Sequence, residues 1–158
     1  MMVTCFLPCR KGSERVVNKN IKPFAGFKRG LIEIKLQQLK ECPSIDEIIL
    51  STNDDEIIEF AESQGIEKMT IHRRDDELCS STTSTDKLVQ LASEISNSEH
   101  ILWTHVTSPF FTSSDYTRFI ESYFEAIEKD FDSIFSEFSS NKLDLVTSLS
   151  CKLKPSQL

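Results

Sequence analysis

The chain is poor in the residues that most often build a metal or redox centre. It has three histidines in 158 residues, and His72, His100 and His105 include no His-x-x-x-His pair, which disfavours a histidine-built metal site. The five cysteines (Cys5, Cys9, Cys42, Cys79, Cys151) are odd in number and include no Cys-x-x-Cys pair. Neither a disulfide framework nor a thiolate zinc site is therefore expected, and the thiols are read as inert core residues. Four glycines and five prolines exclude a collagenous or low-complexity chain. No apolar run approaches the roughly 20 residues that span a bilayer. The apolar stretch Met1–Cys9 is short and has no basic leader, so neither an anchor nor a secretory signal is expected. A cytoplasmic protein without a membrane partner is the default. The hydrophobic fraction of 39% suffices to bury a core, and the length suits a single domain spanning residues 1–158.

Charge is present but unevenly divided. Arg10, Lys11, Arg15, Lys19, Lys22, Lys28 and Arg29 face only Glu14 in the first 29 residues, a net +6. The remaining 129 residues carry 11 basic and 24 acidic side chains, a net −13, which argues against a nucleic acid partner needing a broad basic face. A small anion held at one loop fits this distribution. On charge alone, a solvated basic loop is the commoner outcome.

Strand and helix patterns alternate along the chain. Val3 to Pro8 is a short apolar run suited to a buried strand. Leu31, Ile34, Leu36 and Leu39 give a helical face that ends near Cys42-Pro43, because the residue before proline avoids the α region. Glu47 to Ser51 predicts a second strand. Asn53 and Glu56 have the spacing of a capping box for a helix carrying Ile57, Ile58 and Ala61 and closed by Gly65. A strand is expected around Lys68 to Ile71, a helix over Leu88 to Ile95, and a strand from His100 to Thr104. Phe119, Ile120, Tyr123, Phe124 and Ile127 form an aromatic stripe read as helical core. Ser133 to Phe135 and Leu145 to Leu149 are two further candidate strands. This order predicts a Rossmann-like three-layer α/β/α fold with a mainly parallel sheet built from right-handed βαβ units. In such a sheet ligands collect beyond the carboxyl ends of the strands.

The first of those loops runs Cys9-Arg10-Lys11-Gly12-Ser13-Glu14-Arg15 and on to Lys19-Asn20. It offers one glycine for an anion-facing backbone turn, and guanidinium and ammonium groups for a polyphosphate. It lacks the second glycine and Lys-Ser/Thr of a Walker A loop, and the three glycines of a dinucleotide fingerprint. The loop resembles the opening signature of the cytidylyltransferases that activate acidic sugars, CMP-N-acetylneuraminate synthetase and its relatives. Three further segments are similar to that family in the same order: Leu50-Ser51-Thr52-Asn53-Asp54-Asp55-Glu56-Ile57, Arg74-Asp75-Asp76-Glu77-Leu78 followed by Ser80 to Thr85, and Thr107-Ser108-Pro109. The chain departs from the pattern at Glu14, where a basic residue is usual, and at Asn53, where Asp is usual. It departs again at His105-Val106, where Gln-Pro is usual, and at Phe111, where Arg is usual.

The resemblance implies transfer of CMP from CTP to a sialic-acid-like sugar with release of pyrophosphate. By it, Arg10 and Lys19 are the catalytic candidates. Arg10, Gly12, Ser13, Arg15, Lys19 and Asn20 would hold the triphosphate, and Arg74, Ser81, Thr82 and Thr85 the cytidine. His105, Thr107 and Ser108 would meet the sugar. Mg2+ is implied, but its usual ligands lie in a later segment of the family; Asp54, Asp55, Asp75 and Asp76 are candidate carboxylates better read as solvated acids at helix starts, and none is assigned. The family's dimerisation segment is also absent, so the chain reads as truncated. A non-catalytic nucleotide-binding or assembly module stays open as the alternative. Phe110, Phe111, Phe131, Phe135 and Phe138 are expected to contribute an exposed aromatic surface.

Overall fold

The computed structural model of the protein describes residues 1–12, 16–80, 82–139 and 142–147. Two compact units divide at Ser113. The first contains β1 (Val3–Pro8), α1 (Gly30–Lys40), β2 (Glu47–Thr52), α2 (Asp55–Ser63), β3 (Met69–Arg73), a 3-10 turn (Asp76–Cys79), α3 (Thr85–Ile95) and β4 (His100–Trp103). Its four strands form one parallel sheet in the order β3-β2-β1-β4.

The central strands β1 and β2 are apolar along almost their whole length because both of their faces are buried. Register places Ile49, Phe6 and Trp103 abreast on one face. Leu91, Ala92 and Ile95 of α3 pack there, and the Phe6 and Trp103 rings lie 4.9 Å apart. Burying each such side chain contributes about 1.5–3 kcal/mol. Cys5, Leu7, Ile48 and Leu50 point to the opposite face and are fully buried. The β1-α1-β2 and β2-α2-β3 crossovers step away in one direction, whereas β4 returns to the far side of β1. Right-handed crossovers then put α1 and α2 on one face and α3 on the other. The chain reverses direction at β1, so the loop after β1 opens at the topological switch point where ligands of such sheets bind.

Local details differ from the sequence expectations in three places. The face that α1 buries is Ile32, Lys35, Leu36 and Leu39, while Leu31 and Ile34 are only half-buried. These residues have ideal i, i+3, i+4, i+7 spacing, but a lysine stands within it, and polarity patterning passes over that lysine. The N-cap of α2 is Asp54, not Asn53: its side chain accepts from the Glu56 N–H at 3.1 Å, because the helix starts one residue later than the capping box predicts. The last two strands, β5 (Ile134–Ser139) and β6 (Lys142–Thr147), form a separate antiparallel pair instead of extending the parallel sheet. Only a short connection joins them, too short for a parallel crossover.

The second unit holds those two strands and the larger part of α4 (Ser113–Ile127). Tyr116, Ile120 and Ala126 are buried, whereas Phe119, Tyr123, Phe124 and Ile127 of the expected stripe are half-buried. Phe110 in the first unit is 82% exposed and Phe135 in the second 48%, with Phe111 and Phe131 intermediate. The Phe138 side chain and Cys151 lie outside the described residues. Cys5, Cys9, Cys42 and Cys79 are free thiols, all buried. No described helix is long and apolar enough to cross a membrane.

Candidate functional site

The loop after β1 is anchored at both ends. The Cys9 N–H donates to the Ser51 carbonyl at 2.9 Å, extending the sheet ladder by one residue before the chain turns away. Gly12 adopts φ +79 and Asn18 φ 53, two left-handed positions that curl the loop back. The Asn18 carbonyl accepts from both Ile21 and Lys22 N–H, and the Asn20 carbonyl accepts from the Ile32 N–H of α1 at 2.9 Å. The Asn20 side-chain amide donates to the Arg10 carbonyl at 3.3 Å, closing the base of the loop. The result is a recess lined by Arg10, Gly12, Asn18, Lys19, Asn20 and Asp54. It holds about 10 Å³, room for roughly one water. It is therefore a notch able to seat one phosphoryl oxygen, with Arg10 and Lys19 outweighing Asp54 in charge.

Two neighbouring loops are tied to this one. The Arg10 Nη1 donates to the Cys79 carbonyl at 3.4 Å, next to the Ser80–Thr85 segment. Asn53 Oδ1 accepts from the Lys11 N–H at 2.7 Å while its Nδ2 donates to Asp76 Oδ1 at 2.9 Å. An amide can do both, whereas the aspartate usual in the family could not donate to Asp76. We expect Asn53→Asp to set two carboxylates about 3 Å apart and cost about 1 kcal/mol at pH 7. Urea titrations should show that cost vanishing near pH 4, where the pair shares protons.

The Ser/Thr segment is organised around Ser80, whose Oγ lies 2.9 Å from Thr82 Oγ1 and 3.0 Å from Thr83 Oγ1. The cap of α3 is Ser84, accepting from the Lys87 N–H, so Thr82 and Thr85 are not consumed in capping and both are exposed. Arg74 lies deeper than its sequence role suggested. It is 3% exposed, and its guanidinium donates through Nε to Ser51 Oγ at 3.1 Å and through Nη2 to the Ser51 carbonyl at 2.6 Å. Ser51 Oγ also lies 3.1 Å from His72 Nδ1, and a neutral ring with a bare Nδ1 would accept the hydroxyl hydrogen that the Arg74 contact leaves available. Burial and the nearby Arg74 charge hold His72 below the ordinary histidine pKa, in keeping with that neutral acceptor. Burial pushes the Cys9 thiol up to about 12, with the Asp54 carboxylate adding to the rise, so Cys9 stays protonated beside the recess and is no nucleophile.

His105, Thr107 and Ser108 follow β4 and are exposed. His105 Nε2 accepts from Trp103 Nε1 at 3.0 Å, and desolvation reinforced by the Lys35 ammonium lowers its pKa. A neutral ring accepting at Nε2 carries its hydrogen on Nδ1, which is then a donor. Ser13, Arg15 and Ser81 lie outside the described residues. Of the four candidate carboxylates three have partners: Asp54 caps α2, Asp55 pairs with Arg73 at 2.7 Å and Asp76 accepts from Asn53. Among the described residues no cluster of three or more His, Cys, Asp or Glu can hold a metal ion. Mg2+ is commonly held by one or two carboxylates together with substrate phosphates, and no step below is routed through it.

A four-stranded parallel sheet with a basic notch at its switch point defines a nucleotidyltransferase-type α/β fold, and comparison with known proteins specifies the class. Because the cytidylyltransferase family model matches residues 4–149, the chain belongs to that family. It is 34% identical over 109 residues to the pseudaminic acid cytidylyltransferase of Campylobacter jejuni subsp. jejuni serotype O:2, covering 69% of this chain and 45% of that protein. The chain thus spans less than half the length of this curated relative. CMP:2-keto-3-deoxy-manno-octonic acid synthetase complexed with CTP superimposes with a TM-score of 0.59 at 16% identity, over 82% of this chain and 48% of its own. The 4-diphosphocytidyl-2C-methyl-D-erythritol synthase of Anaerococcus prevotii gives a TM-score of 0.57 at 14% identity, over 93% and 63%. At these identities the two structures share the fold.

Proposed function

We propose that the chain carries the CTP-binding part of a cytidylyltransferase acting on an acidic sugar of the sialic-acid-like kind. The observation that carries this reading is a basic notch beyond β1, lined by Arg10, Gly12, Asn18, Lys19 and Asn20, whose loop is tied through Arg10 and Lys11 to Cys79 and Asn53 and through Asn53 to Asp76. In the reaction the anomeric hydroxyl of the sugar forms a bond to the α-phosphorus of CTP. The bond from that phosphorus to the bridging oxygen breaks, pyrophosphate leaves with the electron pair, and the hydroxyl proton passes to solvent. Arg10 and Lys19, with the Gly12 backbone, neutralise the charge that builds on the phosphates, and Asn20 holds the loop that carries them. Thr82 and Thr85 offer hydroxyls to the cytidine, Ser81 is assigned to it by the family resemblance alone, and Arg74 supports the strand end. His105, Thr107 and Ser108 offer polar groups to the sugar.

Calorimetric titration with CTP in Mg2+-containing buffer, against GTP, ATP and UTP, tests the nucleotide site. Selective CTP binding weakened about 100-fold by Arg10→Ala is expected, as for loss of a charged hydrogen-bonding partner worth about 2–3 kcal/mol. Absence of binding to any nucleotide would refute the reading. Pyrophosphate release on adding a sialic-acid-like sugar separates turnover from CTP binding alone, the outcome that favours a non-catalytic module.

A further inference from the structure

Lys35 is the most unusual residue of the core, a lysine with no exposed surface in the middle of the buried face of α1. A buried ammonium is costly unless its hydrogens are accepted. Its Nζ donates to the Ser108 carbonyl at 2.8 Å. One turn along the same helix, Gln38 Nε2 donates to the Pro109 carbonyl at 2.7 Å. Residues three apart lie on one side of a helix, so α1 presents two side-chain donors to two consecutive carbonyls of the loop after β4. The Gln38 Oε1 is buried without a hydrogen-bond partner among the described residues, which leaves the Pro109 contact to hold the amide. Ser108 also donates its N–H to the His105 carbonyl and accepts at its own carbonyl from the Phe111 N–H, both at 3.3 Å, so His105 and the two clamped carbonyls share one double turn over residues 105–111.

We propose that Lys35 and Gln38 are positioning residues, which grip this turn by its carbonyls and thereby set the faces that His105, Thr107 and Ser108 turn outward. The role in substrate recognition rests on the proposed function; the clamp itself does not. The helix takes up both carbonyls while His105, Thr107 and Ser108 stay exposed, and their hydroxyls and ring N–H are donors suited to a carboxylate or hydroxyl-rich ligand. The same α1 accepts the end of the first loop, through Ile32 N–H to the Asn20 carbonyl, so one helix braces the turn after β4 and the loop after β1.

The test uses the full chain with Lys35→Met, which keeps the stem and removes the ammonium, and Gln38→Leu as a milder partner. Amide hydrogen exchange over residues 105–111 should quicken at least tenfold in each variant, while amides of β1 and β2 keep their protection. Proton and nitrogen spectra of the His105 ring supply a second readout: loosening the turn rehydrates the ring in either variant, and Lys35→Met also removes the ammonium, so it should raise the His105 pKa further than Gln38→Leu does. Where Lys35→Met fails to fold, exchange in Gln38→Leu decides. Unchanged exchange in the turn, or equal acceleration across the sheet, overturns the proposal. Neither readout needs CTP or turnover, so failure of the nucleotide reading would show separately in the calorimetry.

Discussion

Replacing Gly30 by alanine should cost at least about 3–4 kcal/mol, a large fraction of the roughly 5–15 kcal/mol that keeps an ordinary domain folded. Gly30 opens α1 with φ +56, and a Cβ built there would lie 1.9 Å from the Lys22 carbonyl oxygen and 3.0 Å from its carbon. The obstacle is backbone and cannot rotate aside. Moving it would disturb the turn in which the Lys22 N–H bonds the Asn18 carbonyl, and with it the Asn20 carbonyl that receives Ile32. The penalty thus combines a left-handed alanine, about 1–2 kcal/mol, with displacement of a packed chain crossing. Gly65 supplies the control. Its φ of +55 is nearly identical, yet nothing lies within 4 Å of a Cβ there, so Gly65→Ala should cost only the conformational part, about 1 kcal/mol. Urea denaturation of both variants measures the difference, which isolates the clash. Equal midpoints would show that the crossing over Gly30 yields easily, and that the basic loop is less firmly set than its hydrogen bonds indicate.

That crossing was not legible in the sequence, where Gly30 is one glycine beside a basic dipeptide. What was legible follows from burial. The central strands β1 and β2 have no polar face, so the runs from Val3 and from Glu47 announce them and the alternating helices imply the parallel sheet. Capping was misplaced by one residue because Asn53 and Asp54 can both cap. The choice depends on Asn53 being drawn to Lys11 and Asp76, contacts made by residues 42 and 23 positions away. The antiparallel pairing of β5 with β6 depends on a turn whose residues carry no strong signal. At the candidate site, Arg10, Gly12, Lys19 and Asn20 do meet in one recess as their order in a single loop suggests. The burial of Arg74 beneath Ser51 and the Lys35–Gln38 clamp are relations between elements, and a hydrophobic pattern read along one helix treats Lys35 only as an interruption.

The same lysine should leave its mark on stability above neutral pH. Burial lowers the Lys35 pKa from 10.5 to about 8, opposed only in part by Cys5, and burial likewise raises the thiols of Cys5 and Cys9 from 9.0 to about 12. Between pH 8 and 10.5 the unfolded chain keeps the Lys35 proton that the folded chain has released, so this lysine makes stability rise with pH by about 1.4 kcal/mol per unit. From pH 9 to 12 each thiol is ionised in the unfolded chain and protonated in the folded one, and each lowers stability by about the same slope. The two cysteines together outweigh the lysine, which predicts an increase from pH 8 to 9 and a decline beyond it. In Lys35→Met the rise is lost and the thiols act alone. Between pH 8 and 10 the parent chain should then change little, whereas the variant should lose about 3 kcal/mol, read from urea midpoints under reducing conditions. Parallel curves for the two proteins would mean that Lys35 holds its proton to its ordinary pKa, and that the ammonium is better solvated by the turn after β4 than its complete burial implies.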